Sequence, residues 1–158
     1  MNEIALIACS KNKLRTETAV PAGELYQGQL FKAQLAYARR VLQLPNKRIF
    51  VLSAAYGVAK LDYPLRPYDQ TLTQMKAEER RAWGMRVAYH LGILTGQQGD
   101  LWQRVYVMGG ELYRQPVEMA LTGLSTEVSV PHPPGLGYAR QVAWYKRQVE
   151  EHGAGQFV

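Results

Sequence analysis

The stretch Ile49–Gly57, IFVLSAAYG, decides how this chain is read. Its first half belongs to an apolar, partly β-branched run, Arg48 to Leu52, that reads as a strand. That run stops abruptly at Ser53-Ala54-Ala55-Tyr56-Gly57. Nine residues, Val58 to Arg66, then lead to Pro67-Tyr68-Asp69. Either this is ordinary turn chemistry, with Gly57 supplying a positive φ and Asp69 closing a turn, or two loops are building one site.

Outward from that strand the pattern alternates. Ile4 to Ala8 is an apolar run and reads as the first strand. Leu25, Phe31, Leu35, Ala38 and Leu42 recur near helical spacing and predict a helix over Glu24 to Leu42. Thr71 and Gln74 have the spacing of a capping box that opens a helix running to about Leu94. Met75, Trp83, Val87, Leu91 and Leu94 form its apolar side. The segment Thr95–Asp100, TGQQGD, reads as a loop. Arg104 to Met108 and Thr126 to Val130 read as strands. Glu111 to Leu121 and Gly137 to Glu151 read as helices, with Pro116 as a kink or boundary.

Strands alternating with helices imply parallel pairing through right-handed crossovers. The expectation is one α/β domain over residues 1–158, a three-layer fold around four parallel strands. The small doubly wound order, with the first strand between the second and third and the fourth outside, is the arrangement expected.

In such sheets ligands bind beyond the carboxyl ends of the strands. Those ends carry Cys9–Lys13 (CSKNK), Ser53–Gly57 (SAAYG), Gly109–Tyr113 (GGELY) and Pro131–Gln141 (PHPPGLGYARQ). The opposite edge carries plain turns such as Leu44–Lys47, LPNK. Gly109-Gly110 lacks the G-x-G-x-x-G spacing of a dinucleotide fingerprint but permits close backbone approach to a ligand. His132 stands between prolines at a strand end.

The bulk numbers bound the function. A net charge of +6 suits a polyanionic partner. The single cysteine, Cys9, rules out an internal disulfide framework and an all-cysteine metal site; neither a metal nor a cofactor is expected. The longest apolar runs are about seven residues, against the ~20 needed to span a bilayer. With no basic leader before the first strand, a cytoplasmic place and no membrane partner are expected.

Six segments carry a resemblance: IALIACSKNK, ELYQGQLFKAQLAYA, FVLSAAYGV, RPYDQTLTQM, ERRAWG and GLGYARQVAW. From Ile4 to about Trp144 the chain resembles a prokaryotic and phage domain family related to the YaaA-like peroxide-stress proteins. LSAAYG and PYD carry that relation, which implies DNA binding in a stress response. ACSKNK is similar to a Cys-Ser-x-x-Lys signature in a domain of archaeosine synthases. VPHPPGLG resembles the strand-end His-Pro-x-Pro motif of the uracil-DNA glycosylase superfamily, where the loop enters DNA and its His supports the departing base. Ser10-Lys11 stands where that superfamily carries its water-activating Asp. A uracil-DNA-glycosylase-like or flavodoxin-like fold is thereby expected.

The resulting expectation is a protein that recognises a nucleobase or nucleotide, with DNA as the partner. In the enzyme reading it cleaves an N-glycosidic bond. That transition state needs a carboxylate near the sugar and donors near the departing base. Asp69 is the expected carboxylate and His132 the base-side donor. Tyr56 or Tyr113 would stack on the base, at about 1–3 kcal/mol. Lys11, Lys13 and Arg140 would hold phosphates, and Ser10, Ser53, Gly57, Tyr68 and Gly109 complete the expected site. The alternative is a non-catalytic DNA-binding stress protein or a nucleotide-binding module that uses the same loops.

Overall fold

The computed structural model describes residues 2–95, 102–122 and 126–153; most of the expected loop Thr95–Asp100 lies outside them. The central sheet has five strands. β1 (Glu3–Ala8), β3 (Ile49–Ser53), β6 (Arg104–Met108) and β7 (Glu127–Ser129) are parallel. β4 (Gly57–Lys60) runs antiparallel on the edge of β3, and the order is β4-β3-β1-β6-β7. A two-stranded ribbon joins β2 (Val20–Pro21) to β5 (Pro64–Leu65). The four parallel strands have the expected doubly wound order.

The fifth strand is a correction to the four-stranded, all-parallel expectation. Its cause lies in SAAYG. Ser53 pairs with Gly57 across a three-residue turn, and Gly57 sits at φ 78°. A left-handed glycine after a short turn folds a strand straight back as a hairpin. The amide of Tyr56 also donates to Ser53 Oγ at 3.0 Å, which fixes the turn from inside. The chain therefore pairs again at once, and Val58 to Lys60 are sheet rather than loop.

β1 lies at the centre of the sheet, and like its neighbour β3 it is covered on both faces, as a parallel strand requires. Ile4 and Leu6 join Phe50, Leu52, Val105 and Val107 in one buried cluster with α3 (Ala77–Thr95) and α4 (Glu111–Leu121). Ala5 and Ile7 join Ile49 and Val51 in the other with α2 (Gln29–Arg40) and α5 (Tyr138–Gly153). The strand period of two thus assigns neighbouring residues to opposite cores.

Two helices differ from expectation. The segment Glu24 to Leu42 is not one helix: α1 (Ala22–Leu25) ends, and α2 begins only after Gly28. The reason is tertiary. Leu14 donates its amide to Leu25 O at 2.8 Å and Gln27 donates to Asn12 O at 2.6 Å, so Leu25 to Gln27 are recruited by the loop after β1. The Thr71/Gln74 capping box forms, but it caps a 3₁₀ turn, Leu72–Gln74. Met75 is extended, and α3 starts at Ala77. Pro116 lies within α4 rather than ending it. Among the described residues, no helix is long and apolar enough to cross a membrane.

Candidate ligand cleft at the carboxyl edge of the sheet

Parallel register fixes which loops meet. Ala8 is level with Leu52, Ile7 with Met108, and Tyr106 with Ser129. Ser10, Ser53, Gly109 and His132 therefore all follow strand ends on one edge of the sheet. Between β1 and its neighbour β6 the chain order reverses, since β3 lies on the other side of β1. That reversal is where doubly wound sheets open a crevice. A cleft of about 440 Å³ occupies it, within the usual range for a small-ligand site.

Three segments line the cleft: Ala8–Asn12 after β1, Gly109–Tyr113 after β6, and the start of α2 with Leu30, Phe31 and Gln34. Tyr138, the first residue of α5, closes it. Ser10 holds two of these walls together. Its hydroxyl donates to Asn12 O at 3.0 Å and accepts the Gly28 amide at 3.2 Å. A Cβ on Gly28 would stand 2.7 Å from Ser10 Cβ, so this approach admits only glycine.

The cleft is rich in donors. Gly28 and Gly110 are the N-cap residues of α2 and α4, and neither end has a side-chain cap. The first amides of a helix lack intrahelical partners and carry partial positive charge. At α2 the Leu30 amide donates to Tyr138 Oη at 3.4 Å. Gln34 lines the cleft wall, is 1% exposed, and its Nε2 makes no hydrogen bond. Its amide does approach the Tyr145 phenol as a weak hydrogen-bond donor, short of good geometry, and so opposes the rise that burial causes in that phenol. Cys9 Sγ and Tyr113 Oη lie 3.3 Å apart at the floor. Burial, and then the neighbouring Cys9, push the Tyr113 phenol well above its ordinary range, so it stays protonated.

The other expected residues are distributed elsewhere on the same edge. Ser53 is fully buried and engaged: its Oγ donates to Tyr68 Oη at 2.7 Å, and its carbonyl accepts Trp83 Nε1–H at 3.0 Å. Tyr68 Oη also lies 2.7 Å from Tyr26 Oη. Burial drives both phenols far above their ordinary range. Lys13 Nζ sits 4.4 Å above the Tyr68 ring, a cation–π contact. Tyr56, 45% exposed, meets the same ring edge-on at 5.5 Å.

Asp69 does not share the cleft with Ser10. It lines a separate, polar basin of about 760 Å³ with Lys11, Lys13, Arg15 and Tyr68. The Lys11–Asn12 segment borders both depressions and divides them. The expected single pocket of Tyr56, Asp69, Ser10 and His132 is therefore corrected to distinct surroundings. The hairpin is the cause: residues 57–60 pair as β4 and 64–65 as β5, which carries the return to Asp69 around the outer side of β3. His132 Nδ1 bonds Tyr145 Oη at 2.7 Å, and burial, then Arg114, lower its basicity. Arg140 is exposed in the first turn of α5.

Gln34, Gly28, Asn12 and Tyr138 were not singled out by the sequence. Gln34 had a signal: it is a polar residue in the apolar stripe of Phe31, Leu35 and Ala38. Tyr138 lay within the Pro131–Gln141 loop but not among its conspicuous residues.

No curated protein and no solved structure matches the chain. One family model matches residues 4–147, nearly the whole of the sheet and helices just described. The chain thus belongs to a Family of unknown function (DUF6884).

Proposed function

We propose that the cleft between β1 and β6 binds a nucleobase or nucleotide, and that the protein acts on nucleic acid through it. The observation that carries this reading is the crevice at the reversal of strand order, bounded by two helix starts without side-chain caps. Its apolar walls, Ala8, Leu30 and Phe31, suit a flat ring. The Gln34 amide suits a ring carbonyl or ring nitrogen. Helix N-termini suit phosphate oxygens. Packing of helices against both faces of the sheet supports a three-layer fold of the flavodoxin-like or uracil-DNA-glycosylase-like kind. A cytoplasmic place fits the single cysteine. A DNA-binding stress protein without turnover would use the same cleft.

Gly110 provides the test. It lines the cleft, its φ of −68° suits any residue, and a Cβ there meets nothing within 4 Å. Gly110→Phe should place a large side chain at the rim of the cleft and obstruct it, while the entropy gained by removing a glycine from the unfolded chain offsets the loss of a favoured N-cap and keeps the melting temperature close to wild type. Calorimetric titration with free bases, nucleosides and mononucleotides should show one class binding the wild type. The variant should bind that class at least about tenfold more weakly, equivalent to about 1.4 kcal/mol. Equal binding by both proteins, or none by the wild type, overturns the reading.

A second reading, N-glycosidic bond cleavage, draws on the basin that adjoins the cleft across Lys11 and Asn12. Asp69 is its carboxylate. Asp69→Asn keeps the shape and any capping role. Under this reading it should abolish release of free base from modified DNA, followed by mass spectrometry, at an unchanged melting temperature. Undiminished release removes Asp69 from the chemistry.

A further inference from the structure

Helices α2 and α5 pack side by side on one face of the sheet. Their outer surfaces leave a groove of about 390 Å³. Ala33, Ala36 and Val149 form its floor, and Lys32 and Lys146 stand on opposite walls. The charge is predominantly positive. α2 carries Lys32, Arg39 and Arg40 and no acidic residue. α5 adds Arg140, Lys146 and Arg147 against Glu150 and Glu151. The ion pairs of Arg104 and Arg114 lie elsewhere and involve neither Lys32 nor Lys146.

The shape restricts the occupant. Small side chains make the floor, and no aromatic or large apolar anchor of the kind that dominates protein interfaces lines the groove. Nothing apolar projects from it, as insertion into a membrane surface would require. What remains is a channel with Lys32 and Arg40 on the α2 wall and Lys146 on the α5 wall, with Glu150 as its one carboxylate. From Gln29 to Arg40 it follows α2 for about 16 Å at the helical rise. Its N-terminal end lies near the carboxyl edge of the sheet: Gln29 lines the groove, while its chain neighbours Gly28 and Leu30 line the cleft on another side of α2. Tyr138, at the start of α5, touches the cleft as well.

We propose that this groove is a track for the phosphodiester backbone of a nucleic-acid strand, running along α2 to the carboxyl edge of the sheet. The phosphate repeat meets Lys32 and Lys146 across the strand, and the alanine floor lets the backbone lie close. The track stands on its own shape and charge; only the delivery of a base into the cleft rests on the reading of the cleft given above.

The experiment is a fluorescence anisotropy titration of a short mixed-sequence single-stranded oligonucleotide over a range of salt concentrations. It uses the wild type and Lys32→Ala/Lys146→Ala, both checked by circular dichroism for an unchanged fold. Wild-type binding should weaken steeply with salt. The double variant should have a slope of log K against log salt shallower by about 1.4 units, or about 0.7 for each lost phosphate contact on a single strand. Mononucleotide binding should be the same in both proteins, which separates the groove from the cleft. A failure of mononucleotide binding alone removes the cleft reading and leaves the groove standing. Identical slopes for the two proteins overturn the track. So does wild-type binding to phosphatidylserine vesicles without binding to the oligonucleotide, and so does the absence of oligonucleotide binding at low salt.

Discussion

Trp83→Ala should lower the free energy of unfolding by about 3–5 kcal/mol, the range for deleting a large buried aromatic. Trp83 is fully buried at the centre of the cluster that joins the sheet to α3 and α4. Truncation leaves a cavity there that backbone movement fills only in part. A second loss adds to it: the buried hydrogen bond from Nε1–H to the Ser53 carbonyl disappears, itself worth about 0.5–1.5 kcal/mol. Trp83→Phe keeps much of the ring volume but not the donor, and should fall between the wild type and the alanine variant. Urea denaturation reads both effects as a falling midpoint at constant m-value. A loss below about 1 kcal/mol for Trp83→Ala would contradict the packing described here. The effect extends to the cleft, because Trp83 also meets the Tyr113 ring edge-on at 5.7 Å.

The adjacent residue should fail in the opposite way, by overlap. Gly84 lies inside α3, where helix propensity alone favours alanine by about 1 kcal/mol. Gly84→Ala is nevertheless expected to destabilise, by about 1–3 kcal/mol. A Cβ at this position would stand 2.5 Å from the carbonyl oxygen of Pro116 and 2.6 Å from its carbonyl carbon. These are backbone atoms of α4, and backbone cannot rotate away as a flexible side chain can. The two helices must separate or shift, which loosens contacts along their shared face. Adding Pro116→Ala should restore nothing, since it leaves the clashing carbonyl in place. The sign of the stability change decides the matter: a stabilised Gly84→Ala protein would mean that α3 and α4 do not touch at this glycine.

The parallel strands and their order were legible because apolar runs and helical periods alternate plainly in the sequence, and chain connectivity then limits the topology. The edge strand was not. Its four residues, GVAK, are too few to show a period, and the signal that folds them back is the left-handed Gly57 alone. The break between α1 and α2 was equally hidden. Residues 24–42 have a continuous helical pattern, and only the pairing of Leu25 and Gln27 with the β1 loop interrupts it. For the site, the edge of the sheet followed from topology, and Ser10, Lys11, Gly109 and Tyr113 do line the cleft there. The separation of Asp69 from Ser10 depends on the route of the hairpin and ribbon, which no local property of RPYDQTL records. Gln34 was missed because a glutamine is ordinary in a helix; what sets it apart is burial with no well-formed hydrogen bond at Nε2.

The central position of β1 has a consequence for the chain during synthesis. Ala5 pairs with Ile49 on one side, and Ile4 pairs with Val105 on the other. The second partner leaves the ribosome about 100 residues after the first strand. At about 5–20 residues per second, β1 waits roughly 5–20 s with one edge open. That edge belongs to Ile4-Ala5-Leu6-Ile7, an uncharged apolar strand of the kind that pairs readily with foreign strands. The first piece of the sheet to be made is therefore among the last to be closed, and until β6 arrives the nascent chain carries an apolar edge open to foreign strands.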